Sequence, residues 1–327
     1  MSQQLGRGLQ QMASRSRLGL AFAAVLLACA QRGSLASLPA GDGIEAVKVA
    51  DFPGYTEGIA FDDAGNAYVS AGRNPQDPHA VYRVLPGEPP TRWLELRIPN
   101  GHKVLADGSH IIAAEGTIVH TADDGRVLDS LSADKHGVAL RRPNDIAVDG
   151  YSGFYFTDPG EWETEGRRGG LLYVDSAWVV TPAADGFCYP NGVVVRADGR
   201  ALYLDDSCNG RVYLFPILGP GRLGKPVVIA TLTDSAGGAL DGMTLDEEGR
   251  LYIAHNGVGR IEVLDSTGSL LMQYPAGNRL ASNVAFGGTA LTDLYVTGSP
   301  GEKSGPGALY RLPLGVRGRS SMARPAR

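Results

Sequence analysis

The sequence predicts an all-β protein, a six-bladed β-propeller with four-stranded blades, the last of them closed by a strand from near the N-terminus. Three observations lead there. A short phrase recurs along the chain at intervals of about 40 to 50 residues, the length of one propeller blade. Glycine is abundant, at 45 of 327 residues, as suits a fold with a turn every eight to twelve residues or so. After residue 44 no long apolar segment of helical period appears.

The phrase is a polar residue, a short apolar strand, a turn and a second strand. Glu57-Gly58-Ile59-Ala60-Phe61 leads through Asp63-Ala64-Gly65 to Ala67-Tyr68-Val69-Ser70. Asn144-Asp145-Ile146-Ala147-Val148 leads to Phe154-Tyr155-Phe156-Thr157-Asp158. Asn191-Gly192-Val193-Val194-Val195 leads to Leu202-Tyr203-Leu204-Asp205, and Asp241-Gly242-Met243-Thr244-Leu245 to Leu251-Tyr252-Ile253-Ala254. Weaker copies begin at Lys103-Val104-Leu105-Ala106 and Asn283-Val284-Ala285-Phe286, which brings the units to six.

In chain order, residues 1–40 stand outside the repeats and read as an export leader and linker. Arg7, Arg15 and Arg17 precede an apolar run over 18–30, a charged segment followed by a stretch of secretory length. Leu26-Leu27-Ala28-Cys29 resembles a lipoprotein cleavage box, so a lipid on Cys29 is the one membrane attachment expected. Cleavage without lipid near Ala30 or Ala36 stands beside it, and so does an uncleaved leader on a cytoplasmic protein. The expected location is exported, either periplasmic or lipid-anchored.

Residues 44–49 alternate apolar and polar like a half-buried strand. No blade surrounds them, and they are expected beside Ala308-Leu309-Tyr310-Arg311-Leu312, because blade six otherwise has three strands. The outer strands of blades one to five fall at 81–84 and 92–96, 117–120 and 127–130, 171–174 and 178–180, 212–215 and 227–230, and 261–264 and 270–273. The propeller thus spans 44–314, and 315–327 reads as a disordered tail.

Lys and Arg total 30 against 35 Asp and Glu, a formal charge of −5. That leaves no electrostatic footprint for nucleic acid. Of three cysteines, Cys29 lies in the leader. Cys188 approaches the first strand of blade four and Cys208 leaves its second, which puts both at one end of a hairpin. A disulfide between them suits an oxidising compartment; two free thiols at the rim are the other reading.

The first strand of a propeller blade is innermost, so the residues that open these strands converge at one mouth of the channel. Glu57, Asn144, Asn191 and Asp241 would bring two carboxylates and two amide oxygens there. An oxygen-only set suits one divalent ion, with Ca²⁺ favoured and Mn²⁺ or Zn²⁺ able to substitute. Without a cation the two buried carboxylates would repel. The plainer reading is that Asn and Asp are common turn formers, but Glu57 is a poor one.

These phrases together resemble the family of senescence marker protein, gluconolactonase and luciferin-regenerating enzyme, over residues 44–314. The likeness is carried by Glu57-Gly58, Arg142-Pro143-Asn144-Asp145, Tyr155-Phe156-Thr157-Asp158-Pro159, Pro190-Asn191-Gly192, Asp241-Gly242-Met243 and Asn283-Val284-Ala285-Phe286-Gly287-Gly288. It implies a six-bladed propeller with one divalent metal in its channel that hydrolyses lactones. Glu57, Asn144, Asn191 and Asp241 match the metal positions, Asp241 also matches the catalytic base, and Arg142 matches a substrate-binding residue. The family's further acidic partner has Glu161, Glu163 and Glu165 as candidates.

The implied chemistry is hydrolysis of a sugar lactone or related ester. The ion polarises the carbonyl, and either Asp241 or metal-bound water drives the attack. Arg142 has a rim salt bridge as its alternative role. His102 opens the blade-two unit and is expected to contact substrate, although a lone His is more often structural. His255 reads as a rim residue, and Asp145 and Asp158 as anchors of the blade-three strands. No Gly-x-Ser-x-Gly elbow, His-Glu-x-x-His pair or phosphate loop is present. Two alternatives remain. One is a phosphotriesterase of the diisopropylfluorophosphatase kind on the same scaffold; the other is a non-catalytic or strictosidine-synthase-like propeller without metal.

Overall fold

In a computed structural model, residues 37–74, 76–160, 162, 169–235, 237–302 and 305–319 are described. The leader with Cys29, and Glu161, Glu163 and Glu165, lie outside them. The described chain is a six-bladed β-propeller built almost wholly of strands.

β1 (Val47–Phe52) comes from the N-terminal side. Blade one is β2 (Thr56–Phe61), β3 (Ala67–Ala71), β4 (Ala80–Val84) and β5 (Thr91–Leu94). Blade two is β6 (His102–Val104), β7 (His110–Ala114), β8 (Thr117–Thr121) and β9 (Val127–Leu131). Blade three is β10 (Ile146–Val148), β11 (Phe154–Asp158), β12 (Gly169–Val174) and β13 (Val180–Phe187). Blade four is β14 (Pro190–Val195), β15 (Ala201–Asp206), β16 (Arg211–Gly219) and β18 (Val227–Thr231), with a two-residue strand β17 (Arg222–Leu223) added on β16. Blade five is β19 (Ala239–Leu245), β20 (Leu251–Asn256), β21 (Arg260–Leu264) and β22 (Leu270–Pro275). Blade six is β23 (Leu280–Gly287), β24 (Asp293–Ser299) and β25 (Gly307–Leu312). β1 pairs antiparallel with β25 and closes that blade, as expected, with its strand at 47–52 rather than 44–49.

The ring is held by its interfaces. The innermost strands touch in cyclic order, β2 to β6, β10, β14, β19, β23 and back to β2. Between successive blades lies an apolar cluster: Val104 and Ile112 against Ala60 and Tyr68, Phe154 and Phe156 against Ile111 and Ile118, and so on round to Ile59 and Tyr82 against Ala285 and Leu309. Both faces of a blade are therefore buried. This is why β3, β7, β11, β15 and β20 are buried at every residue and read as unbroken apolar runs. The outermost strands are the exposed ones, where the adjacent pairs Val127 and Leu128, Val227 and Val228, and Leu270 and Leu271 stand partly in solvent.

The repeated polar openings have a common local geometry. In blade one Thr56 pairs with Ala71 and Ile59 with Val69, so Glu57 and Gly58 together face Ser70. The same two-against-one count puts Asn191 and Gly192 opposite Asp205, Asp241 and Gly242 opposite Ala254, and Ser282 and Asn283 opposite Thr297. In blade three, Asn144 N donates to Thr157 O and Thr157 N to Asp145 O. In blade two, Asn100 N donates to Ala113 O and Ala113 N to Gly101 O. Every inner strand thus carries a β-bulge at the same level, a device that re-aims side chains. Its first residues are Glu57, Asn100, Asn144, Asn191, Asp241 and Ser282. Glycine follows in blades one, two, four and five, where it is a packing requirement: a Cβ on Gly58 would lie 2.2 Å from Asn100 O, and one on Gly192 would lie 2.4 Å from Asp241 O.

Hydroxyls tie four of the blades to the next at this level. Ser70 donates to Asn100 O, Thr157 to Asn191 O, Ser207 to Leu240 O and Thr297 to Glu57 O. Two expectations are corrected here. Blade two opens at Asn100, not at Lys103. Residues 315–319 are not a disordered tail: Val316 is buried, Gly318 bridges Asp246, and Arg319 donates to Val195 O and Leu245 O. Residues 320–327 lie outside the described chain.

Replacing Thr157 by Val keeps its shape and removes the donor to Asn191 O. We expect denaturant titration to show a loss of about 1 to 2 kcal/mol in unfolding free energy, with the secondary structure unchanged by circular dichroism.

Candidate metal centre

Glu57, Asn144, Asn191 and Asp241 occupy equivalent bulge positions in blades one, three, four and five. Each keeps only 5 to 7% of its surface exposed. Glu57 and Asn144 line one small cavity with Arg73, Asn100, Arg142 and Tyr189. The cavity has about 20 Å³ of open space, room for about one water or one bare ion. Asp241 reaches the same region electrostatically. The Glu57 and Asp241 charges both act on the Tyr55 and Tyr189 hydroxyls, whose pKa values rise mainly through burial, with Arg73 and Arg142 opposing the rise at Tyr189 and the two carboxylates adding to it at both.

Asp241 is held by its surroundings. Asn256 Nδ2 donates to Asp241 Oδ2 at 3.2 Å and to Tyr55 OH at 2.8 Å, and Tyr55 OH donates to Leu280 O. Asn191 Oδ1 and Asn100 Oδ1 are buried and have no hydrogen-bond partner among the described residues. Buried carbonyl oxygens are normally paired, so two orphaned ones at equivalent bulge positions fit oxygens that a cation would engage. Beneath them Asp205 is fully buried against Gly192. Burial, and then Asp241, Asp145 and Asp206, push its carboxyl well above the usual range.

Arg142 lies on the cavity wall. Its backbone N donates to Asp158 Oδ1 at 2.7 Å, and Arg141 N donates to Asp158 Oδ2 at 3.0 Å. Asp145 accepts from Ile146 N and from Val193 N of the next blade. Both aspartates therefore do anchor blade three.

The structure also supplies residues that the sequence reading did not name. Arg73, just past β3, places Nη1 3.0 Å from Glu57 Oε1 and its guanidinium 5.7 Å from the Tyr55 ring centre. Burial opposes the Arg73 charge, but Glu57, with Tyr189, Tyr55 and Asp241, outweighs it and holds the pKa above its ordinary value. Tyr189 packs against Trp162 with ring centres 4.8 Å apart. Glu115 lines the cavity as an acidic group and pairs with Arg97.

Cys188 and Cys208 are joined, with their Cα atoms 5.9 Å apart. The bond staples the hairpin that carries Tyr189 and Asn191. Asp206 reinforces it by accepting from Cys188 N and Tyr189 N. The cluster Cys188, Asp206 and Cys208 is thereby a disulfide site and not a thiolate metal site.

His102 is a correction. It has no exposed surface, its Nε2 lies 2.9 Å from His110 Nδ1, and it stacks on Trp93 between blades one and two. The residue two after the bulge opening points into the blade interface, where the other blades place Ile59, Ile146, Val193, Met243 and Val284. His102 therefore belongs to the core and does not reach substrate. His255 is likewise buried, paired with Glu262 at 2.9 Å, and not a rim residue.

The family model described as the SMP-30/Gluconolactonase/LRE-like region matches residues 77–299. A 6-deoxy-6-sulfogluconolactonase of Pseudomonas putida is 28% identical over 198 residues, covering 60% of this chain and 67% of that protein. Among solved structures, a gluconolactonase from Xanthomonas campestris superposes with a TM-score of 0.71 at 23% identity, covering 84% of this chain and 91% of the other. The calcium-binding protein regucalcin from Agrobacterium tumefaciens gives 0.71 at 20% identity, over 86% and 98%. At these identities the two structures speak for the fold.

The histidine pair sets a pH limit on stability. Burial lowers the His110 pKa to about 4, against the partial opposition of Asp62, Asp123 and Asp107. In the unfolded chain it titrates near 6.5. The unfolded state therefore takes up the proton first, and stability present above about pH 6.5 is lost as pH falls toward 4. Urea titrations should show roughly 2 to 3 kcal/mol lost across that window, and a shallower loss in His110→Gln.

Proposed function

The chain belongs to the SMP-30/gluconolactonase/LRE-like family, and from that premise we propose that it is a metal-dependent lactonase acting on small sugar lactones or related esters. The observation that carries the proposal is the set of oxygen donors at equivalent bulge positions, two of whose amide oxygens, on Asn191 and Asn100, are buried without a partner. Glu57, Asn144, Asn191 and Asp241 would hold one divalent ion, with Asn100 offering a fifth oxygen. The donor set is hard and oxygen-only, which favours Ca²⁺ over Zn²⁺ or Mn²⁺. A regucalcin of the same fold described as calcium-binding agrees with that choice.

Bound there, the ion would supply Lewis-acid polarisation of the lactone carbonyl. The chain's own groups do the rest. Asn256 fixes Asp241 Oδ2, so the carboxylate presents a defined edge to the mouth. Asp241 takes a proton from the water that adds to the carbonyl carbon. The acyl C–O bond then breaks, and the proton passes to the departing ring oxygen. The product is an open-chain hydroxy acid. Arg142, its backbone pinned by Asp158, orients the sugar oxygens. The related lactonases act on compounds of this class by name. Export is part of the same reading, since a disulfide beside the centre suits an oxidising compartment.

The test is gluconolactone hydrolysis before and after chelation, run beside an organophosphate triester. Stripping the ion should abolish lactonase activity and added Ca²⁺ should restore it. Asp241→Asn should lower kcat/KM by about 10² or more with folding unchanged. Full activity in stripped protein would overturn the proposal; preference for the triester would move the assignment to a phosphotriesterase.

A further inference from the structure

Glu57 and Asp241 are buried carboxylates at one mouth, and the cation that faces them is part of the chain. Arg73 donates from Nη1 to Glu57 Oε1 at 3.0 Å, and Asp241 also acts on its charge. Its side chain keeps 29% of its surface exposed while that of Glu57 keeps 7%. The guanidinium thus enters the centre from solvent, over the face of Tyr55.

We propose that Arg73 is a displaceable internal counter-ion of this centre: it neutralises Glu57 when no divalent ion is bound, and must leave that carboxylate when one binds. This rests on the metal reading above and adds to it a residue outside the oxygen set. A guanidinium held on Glu57 competes with a divalent ion for that carboxylate, because like charges within about 4 to 6 Å disfavour each other. The centre therefore stays assembled without its ion, and its affinity for the ion is set below what the oxygens alone would give.

The loop geometry makes the exchange local. The backbone around Arg73 is pinned, since Arg73 N and Asn74 N both donate to Asp77 Oδ2, as does Asn74 Nδ2. His79 Nε2 lies 2.6 Å from Asn74 O. The loop need not move for Arg73 to let go. Rotation of one half-exposed side chain is enough, and the displaced guanidinium remains at the mouth beside Arg142 and Tyr189, where it meets the incoming substrate.

Titration calorimetry with CaCl₂ on chelator-stripped protein tests this, comparing wild type with Arg73→Met and Arg73→Lys. Arg73→Met keeps the bulk and removes the charge. It should bind Ca²⁺ at least about tenfold more tightly, and melt at a lower temperature than wild type when ion-free. Arg73→Lys should stay near wild type in both respects. If Arg73→Met folds poorly, Arg73→Gln serves the same comparison. Equal affinity in wild type and the uncharged variants overturns the counter-ion role while leaving the metal centre standing. No binding to any of the proteins overturns the metal centre itself, and this inference with it.

Discussion

The site depends on one backbone irregularity repeated six times. A single extra residue in each inner strand, set at the same level in every blade, turns a polar side chain out of the ladder and toward the mouth. The extra residue costs ladder pairing, and the ring recovers it between blades. Ser70, Thr157 and Thr297, each facing a bulge in its own blade, donate to the carbonyl of the next bulge. In blade two Gly101 N does the same for Asn144 O. The donors of the centre are therefore fixed by backbone-level contacts that run round the ring, and the inter-blade apolar clusters hold that ring closed.

What the bulges expose is an electrostatic problem. Glu57 and Asp241 are buried close enough to act on the same two tyrosines, and Asp205 lies beneath them with its carboxyl pushed up by burial and by its acidic neighbours. Positive charge relieves it: Arg73 from the loop after β3 meets Glu57, and the ion proposed above would meet the oxygens. A polar network of this kind is costly when half satisfied and rigid when complete. The Tyr55–Asn256–Asp241 chain shows the satisfied part, and the buried oxygens of Asn100 and Asn191, without a partner among the described residues, show the unsatisfied part.

Much of this was legible in the chain. An acidic or amide residue followed by glycine and an apolar strand is the written form of a bulge whose Cβ would strike the next blade, so Glu57-Gly58, Asn191-Gly192 and Asp241-Gly242 could be found directly. Blade two is the hardest to align because its inner strand, His102-Lys103-Val104, opens on two polar residues where the other blades carry mostly aliphatics, which hides the start at Asn100-Gly101. It also hides the role of His102, which holds the position that other blades give to a core aliphatic. Arg73, Tyr189 and Asn256 were missed for another reason. They sit at strand exits and approaches, where no period operates. Like Cys188 and Cys208, they lie where a hairpin's approach and exit meet at one end. The docking of 315–319 had no local signal, since it rests on backbone bonds to Leu245, Glu247 and Leu291.

Whether side chains from four bulges share one ion is measured most directly by a crystal structure of protein loaded with Mn²⁺ or Ca²⁺, with anomalous data. The expected result is a single peak in the channel mouth, with oxygens of Glu57, Asn144, Asn191 and Asp241 at about 2.0 to 2.6 Å and Arg73 turned away from Glu57. A peak held by other residues, or no peak at saturating ion with Arg73 still on Glu57, would contradict it.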